Sequence, residues 1–129
     1  MKIPVKLLII DDNKSIVDVL NIFFSNMNYN VSTATNGLEA LKTIEKDKFH
    51  FDLIITDLVM PSVSGTAIIK IVKKKYPEIP VIAMTGCGEY PKTMASEAHA
   101  DAIMEKPFDL PEMEILVKKV LAKKRKLKK

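Results

Sequence analysis

Cysteine is nearly absent from this chain of 129 residues, with Cys87 the single example. An internal disulfide is therefore excluded, and a reducing compartment is the simpler setting. Cys87 lies between Gly86 and Gly88 with no histidine close in sequence to activate it, so it reads as a plain free thiol. No apolar run approaches the ~20 residues that span a bilayer, and the opening Met1-Lys2-Ile3-Pro4 lacks the layout of a signal peptide. The expectation is a cytoplasmic protein with no membrane partner. His50 and His99 have no acidic or cysteine partners at metal-ligand spacing, which removes a histidine-based metal centre. Repeats and linkers are missing too, and the length leaves no room for a second domain.

Acidic residues are missing from one end. From Lys118 to Lys129 the chain carries eight basic residues and no acidic one, and subtracting these from the net +4 leaves −4 for the remainder. Basicity confined to a tail is the pattern of a solvated end rather than of a folded nucleic-acid face, so nucleic acid is not an expected partner. The expected organisation is a folded unit over residues 1–122 followed by a basic tail over 123–129.

What the chain does contain is 47% hydrophobic residues, enough for one ordinary core, arranged in alternating patterns. Short apolar runs from Val5 to Ile10, Leu53 to Thr56, Val81 to Met84 and Ala102 to Glu105 read as strands, and Asn30 to Ala34 as a shorter one nearer an edge. The near-continuous Leu53, Ile54 and Ile55 suit a central strand covered on both faces. Between the runs stand helical stripes: Ile16, Val17, Leu20, Phe24 and Met27; Leu38, Leu41 and Ile44; Ile68, Ile71 and Val72; and Met113, Leu116, Val117, Val120 and Leu121. Asn36 with Glu39, and Asp109 with Glu112, have capping-box spacing, while Ser64 can cap the third helix and Pro77 ends it. A thinner helix opens at Pro91 and runs to about Ala98. Past Leu121 the basic residues offer little apolar face, and fraying is expected.

Strands separated by helices must be parallel, and right-handed crossovers put helices on both faces. The expected fold is therefore α/β, a (βα)5 doubly wound five-stranded sheet in the flavodoxin-like order 2-1-3-4-5. In such a sheet the carboxyl ends of the strands share one edge. Asp11 and Asp12 follow the first strand, Asp57 the third, Thr85 the fourth and Lys106 the fifth. Alone, either of the first two acids would serve as well as an N-cap, Thr85 as a turn hydroxyl and Lys106 as a surface cation. Their shared position after successive strands is what distinguishes them.

Three carboxylates held together repel one another unless a proton or a cation intervenes. Hard oxygen donors that leave room for water favour Mg²⁺, and the dedicated loop that calcium requires is absent. A carboxylate beside Mg²⁺ can attack phosphorus to give an aspartyl phosphate, with Lys106 pairing one phosphoryl oxygen and Thr85 donating to another. A nucleotide or flavin fits less well, because the loop Asp11-Asp12-Asn13-Lys14-Ser15 is acidic and lacks glycine.

These residues stand in four motifs: Ile10-Asp11-Asp12; Asp57-Leu58-Val59-Met60-Pro61 with Gly65 four residues on; Met84-Thr85-Gly86; and Lys106-Pro107-Phe108. From Val5 to about Leu121 the chain resembles the receiver domain of two-component response regulators. The resemblance implies Asp57 as phosphoacceptor, Asp12 as a direct Mg²⁺ ligand, Asp11 as a ligand acting mainly through water and the Val59 carbonyl as a further metal contact. It also implies Thr85 as the switch hydroxyl, Lys106 as the cation that reads the phosphoryl group, and a cis Lys106-Pro107 bond. The implied partners are a histidine kinase or phosphotransfer protein, and a downstream protein bound by the face of helix four, strand five and helix five. Ile103 departs from the family, which usually has Tyr or Phe there, so the aromatic part of the switch is missing. Two alternatives stand beside this reading. One is a Mg²⁺-dependent aspartyl-phosphate phosphatase, for which Val59 occupies the acid/base position; the other is an inactive receiver that only docks.

Overall fold

The computed structural model describes residues 4–47, 51–61, 63–86, 93–96 and 98–127. The expectations for His50, Cys87 and the Pro91 helix start lie outside these residues. Five parallel strands, β1 (Lys6–Ile10), β2 (Asn30–Ala34), β3 (Leu53–Asp57), β4 (Val81–Thr85) and β5 (Ala102–Glu105), form one sheet in the order β2-β1-β3-β4-β5. Each falls within a residue of its expected position. Central β3 and β4 are buried at every residue, whereas edge strand β2 is buried only at Ala34.

Alternation along the strands divides the interior into two cores. Leu7 and Ile9 of β1, Leu53 and Ile55 of β3, and Ile82 and Met84 of β4 face α1 (Lys14–Ser25) and the C-terminal helix (Leu110–Leu127), which add Leu20, Phe24, Met113 and Val117. Leu8, Ile10, Ile54, Val81 and Ala83 face the opposite way, toward α2 (Gly37–Lys46), α3 (Gly65–Lys75) and the fully buried Ala95 and Ala98. A sheet covered on both faces cannot slip register by one residue without exchanging its two cores.

Three helical expectations need correction. Met27 is 39% exposed, because α1 ends at Ser25 and the chain then turns: Tyr29 N–H donates to Phe24 O and Asn28 adopts φ 69°. Leu38 is 57% exposed, and the inward face of α2 is made by Gly37, Ala40 and Ile44 instead. The last helix does not fray after Leu121 but continues to Leu127. Lysine and arginine favour helix, cations suit a helix C-terminus, and Lys124 reaches Asp52 O at 3.5 Å. The capping boxes form in part: Asn36 accepts from Glu39 N–H at 2.8 Å, while the Glu39 carboxylate takes Thr35 N–H rather than that of Asn36.

The short helix that includes residues 93–96 ends on an unusual residue. His99 stands at φ 68°, its N–H donating to Ser96 O while Ala100 N–H reaches Ala95 O. This is the position where glycine avoids the left-handed penalty of a Cβ. His99→Gly is expected to raise stability by about 0.5–1 kcal/mol, part of the strain relief being offset by greater freedom in the unfolded chain. Chemical denaturation would measure it, and a loss of stability would show that the imidazole makes a compensating contact.

Candidate functional site

Helix α1 begins with its own cap, which leaves the adjacent acids for other work. Asn13, not Asp11 or Asp12, is the N-cap, its side chain accepting from Ser15 N–H and Ile16 N–H at 3.0 and 3.4 Å. The fully buried Asp11 uses both oxygens: Oδ1 accepts from Asn13 N–H at 2.9 Å and Oδ2 from Lys106 Nζ at 2.8 Å. Asp12 is exposed. Asp57 ends β3 only 8% exposed, with Oδ1 3.4 Å from the same ammonium.

The β1–β3 pairing brings together groups far apart in sequence. Ile10 lies opposite Thr56, so the residues just beyond meet at the strand tips. One oxygen each from Asp11, Asp12 and Asp57 lies within 4.8 Å of the others. Next along the sheet Asp57 is in register with Met84, and Leu58 N–H donates to Met84 O. Lys106 N–H in turn donates to Thr85 O at 2.7 Å, which sets the lysine beside the cluster. The Lys106-Pro107 bond is cis, as the resemblance implied.

The electrostatics follow from burial. Burial, reinforced by the Asp11 charge and opposed by Lys106, pushes the Asp57 carboxyl from its ordinary 3.8 up to about 6. For Lys106, burial alone would lower the pKa, but the Asp11 hydrogen bond and the charges of Asp57 and Asp11 outweigh it and raise it above 10.5. The ammonium is thus firmly charged. Thr85 is 1% exposed, and its hydroxyl finds no hydrogen-bond partner among the described residues. A buried hydroxyl left unpaired costs about 1–3 kcal/mol, which an acceptor entering the site would recover.

Gly65 entered the sequence reading only as part of a motif, and Gly37 escaped it. A Cβ on Gly65 would stand 1.8 Å from Asp57 O and 2.8 Å from Leu58 Cα, so α3 starts directly against the backbone that carries Asp57. Gly65 N–H also donates to Leu58 O at 2.9 Å. A Cβ on Gly37 would stand 2.5 Å from Val63 Cβ in the same β3–α3 connection. The only signal in the sequence was the Asn36-Gly37 pair at a helix start.

The profile of the response regulator receiver domain family matches residues 7–118. This chain belongs to that family. Among similar receivers, Response regulator SaeR of Staphylococcus epidermidis is 38% identical over 118 residues, covering 91% of this chain and 50% of the relative. The Staphylococcus aureus protein of the same name is 33% identical over 121 residues, covering 93% of this chain and 52% of the relative. The chain thus spans about half the length of these curated relatives. A putative response regulator from Chloroflexus aurantiacus superposes with TM-score 0.86 at 31% identity, covering 93% of this chain and 99% of the other. A CheY-like receiver domain protein from Methanospirillum hungatei gives 0.89 at 26%, covering 96% and 98%. Receiver domains are signalling modules of two-component systems, and the site described lies where the open sheet of this receiver has its topological switch point. None of its described helices is long and apolar enough to cross a membrane.

Proposed function

We propose that this receiver accepts a phosphoryl group on Asp57 from a histidine kinase or phosphotransfer protein, with Mg²⁺ bound by the acidic cluster. The observation that carries the reading is the convergence of Asp11, Asp12, Asp57 and Lys106 at neighbouring strand tips. Three carboxylates fit a hard divalent cation, and Asp57 is pushed upward by burial first and by the Asp11 charge second, with Lys106 offsetting only part. Exposed Asp12 and the outer oxygen of Asp57 would hold the ion directly, with the Val59 carbonyl. Asp11, its two oxygens already engaged, would act through water. When bound, the metal supplies charge neutralisation for the incoming phosphoryl group.

The protein groups do the rest. Asp57 Oδ attacks phosphorus in line while the donor's nitrogen–phosphorus bond breaks. The Lys106 ammonium then pairs with a phosphoryl oxygen, and the Thr85 hydroxyl, without a partner among the described residues, donates to another. Movement of Thr85 would alter the face built on β5, the helix containing residues 93–96 and the C-terminal helix, and a downstream protein would read it. Ile103, opposite Ala83 and 36% exposed, would transmit by packing rather than by ring rotation. A groove of about 500 Å³ beside the site, lined by Ile16, Val19, Leu20, Pro107, Phe108 and Leu110, offers an apolar seat for the phosphodonor protein. Location in the cytoplasm and the absence of catalytic turnover belong to the same reading.

The test is intact mass after incubation with Mg²⁺ and acetyl phosphate. A stoichiometric phosphoryl adduct supports a receiver, continuous consumption of donor without adduct supports the phosphatase alternative, and neither outcome leaves a docking module. The exposed Val59 side chain beside Asp57 supplies no base for hydrolytic water, so the adduct is expected to persist for minutes or longer after donor removal. A half-life of seconds would count against that.

A further inference from the structure

Helix α2 supplies no group to the acidic cluster, yet its first residue presses on the connection that carries Val59. We propose that Gly37 is a positioning residue for the metal site: the absence of a side chain there lets Val63 seat against α2, and this seating holds the β3–α3 connection in place. The inference rests on the proposed Mg²⁺ site and assigns its geometry to a contact outside it.

The contact leaves no slack. A Cβ at residue 37 would lie 2.4 Å from Val63 O, 2.5 Å from Val63 Cβ and 2.9 Å from Val63 Cγ1, distances that real Cβ atoms do not adopt. Gly37 is itself buried, next to the Asn36 cap, and α2 is anchored below by Ala40 and Ile44 in the core. The connection is held at its other end as well, where Gly65 packs on the Asp57–Leu58 backbone and donates to Leu58 O. A methyl at residue 37 therefore has two outcomes open to it: α2 tilts out of its core, or the connection shifts. The connection is the softer of the two, since Val63 is only partly buried whereas Ala40 and Ile44 are buried.

Raising 2.4 Å to the 3.0 Å that real Cβ contacts keep takes a shift of about 0.6 Å or more at Val63, which lies four residues after Val59 in the chain. Mg²⁺ demands near-ideal octahedral geometry at short distances, so a ligand carbonyl moved by that amount binds it poorly. Supporting residues around metal sites typically change affinity by about 10–100-fold. Gly37→Ala is expected at the low end, about tenfold, because the carboxylates stay on their strands.

The experiment is a double-mutant cycle on the whole chain, comparing wild type, Gly37→Ala, Val63→Gly and the double variant. Mg²⁺ dissociation constants come from calorimetric titration, and amide hydrogen exchange at Gly65 is read in metal-free protein. Gly37→Ala is expected to weaken Mg²⁺ about tenfold and to speed Gly65 exchange. The same substitution in the Val63→Gly background is expected to cost less in both measurements, because the contacts with Val63 Cβ and Cγ1 are gone while the one with the backbone Val63 O remains. An unchanged constant and unchanged exchange in Gly37→Ala would overturn the proposal, as would an undiminished loss in the Val63→Gly background. Should Gly37→Ala alone fail to fold, the double variant must fold and bind Mg²⁺ with less than a tenfold loss relative to Val63→Gly, or the steric route is wrong. If wild type itself does not bind Mg²⁺, the metal reading falls, while the seating of the connection is decided by Gly65 exchange alone.

Discussion

Asp57→Asn is expected to take up no phosphoryl group and, without divalent ions, to be more stable than the wild type at neutral pH. The first half follows because an amide cannot attack phosphorus, while of the neighbouring carboxylates Asp11 has both oxygens engaged and Asp12 is assigned to the ion. The second half follows from burial. The folded-state pKa of Asp57 is raised from 3.8 to about 6, so between those values the folded chain holds a proton that the unfolded chain has released. Stability from this group is therefore greatest below the ordinary carboxylate pKa and is lost as pH rises through about 6. Above that pH the buried charge costs on the order of 2–3 kcal/mol for a displacement of this size. Asparagine removes the charge and keeps the shape. Thermal unfolding in chelator is expected to show a melting temperature several degrees above wild type at pH 7.5, with the two converging as the pH falls toward 4. Mg²⁺ should narrow the gap, because it stabilises the wild type more than the variant. A variant that melts below wild type at pH 7.5 would mean that the Lys106 pairing, not the repulsion, dominates at Asp57.

Gly65→Ala is expected to lose about 3 kcal/mol or more, the upper end of what overfilling a tightly packed site costs. The added methyl would meet Asp57 O at 1.8 Å, Asp57 C at 2.7 Å and Leu58 Cα at 2.8 Å, and these three nearest atoms are all backbone. No rotamer change relieves that. Either α3 moves away from the sheet, or Asp57 moves and the cluster with it. Gly86 is the control: a Cβ there meets nothing within 4 Å among the described residues, and Gly86→Ala is expected to be near neutral. Chemical denaturation of the two variants under identical conditions measures the contrast, and equal losses would show that the glycines matter through backbone freedom alone.

The strands were legible because parallel, doubly covered strands must be apolar at successive residues, and Leu53–Asp57 and Val81–Thr85 are buried throughout. The site was legible for a related reason: an open parallel sheet directs the ends of its strands to one edge, so polar residues placed just after apolar runs must meet. Helix faces were less so. Leu38 fits the periodic stripe of α2 but is exposed, because the crossover rotates the helix to put Gly37 and Ala40 inward. Periodicity defines that a helix has a face, while the contact with its neighbour chooses which residues fill it.

The element order, the parallel sheet and the identity of the acidic, hydroxyl and cationic groups at its edge could be read from residue order, since these depend on patterns a few residues long. Three features emerge only in the folded chain: Asn13 rather than an acid caps α1, Asp11 has both oxygens engaged while Asp12 is exposed, and two glycines press against the connection carrying Asp57 and Val59. Those outcomes depend on distances between chain segments remote in sequence. No local pattern encodes them until the core has closed.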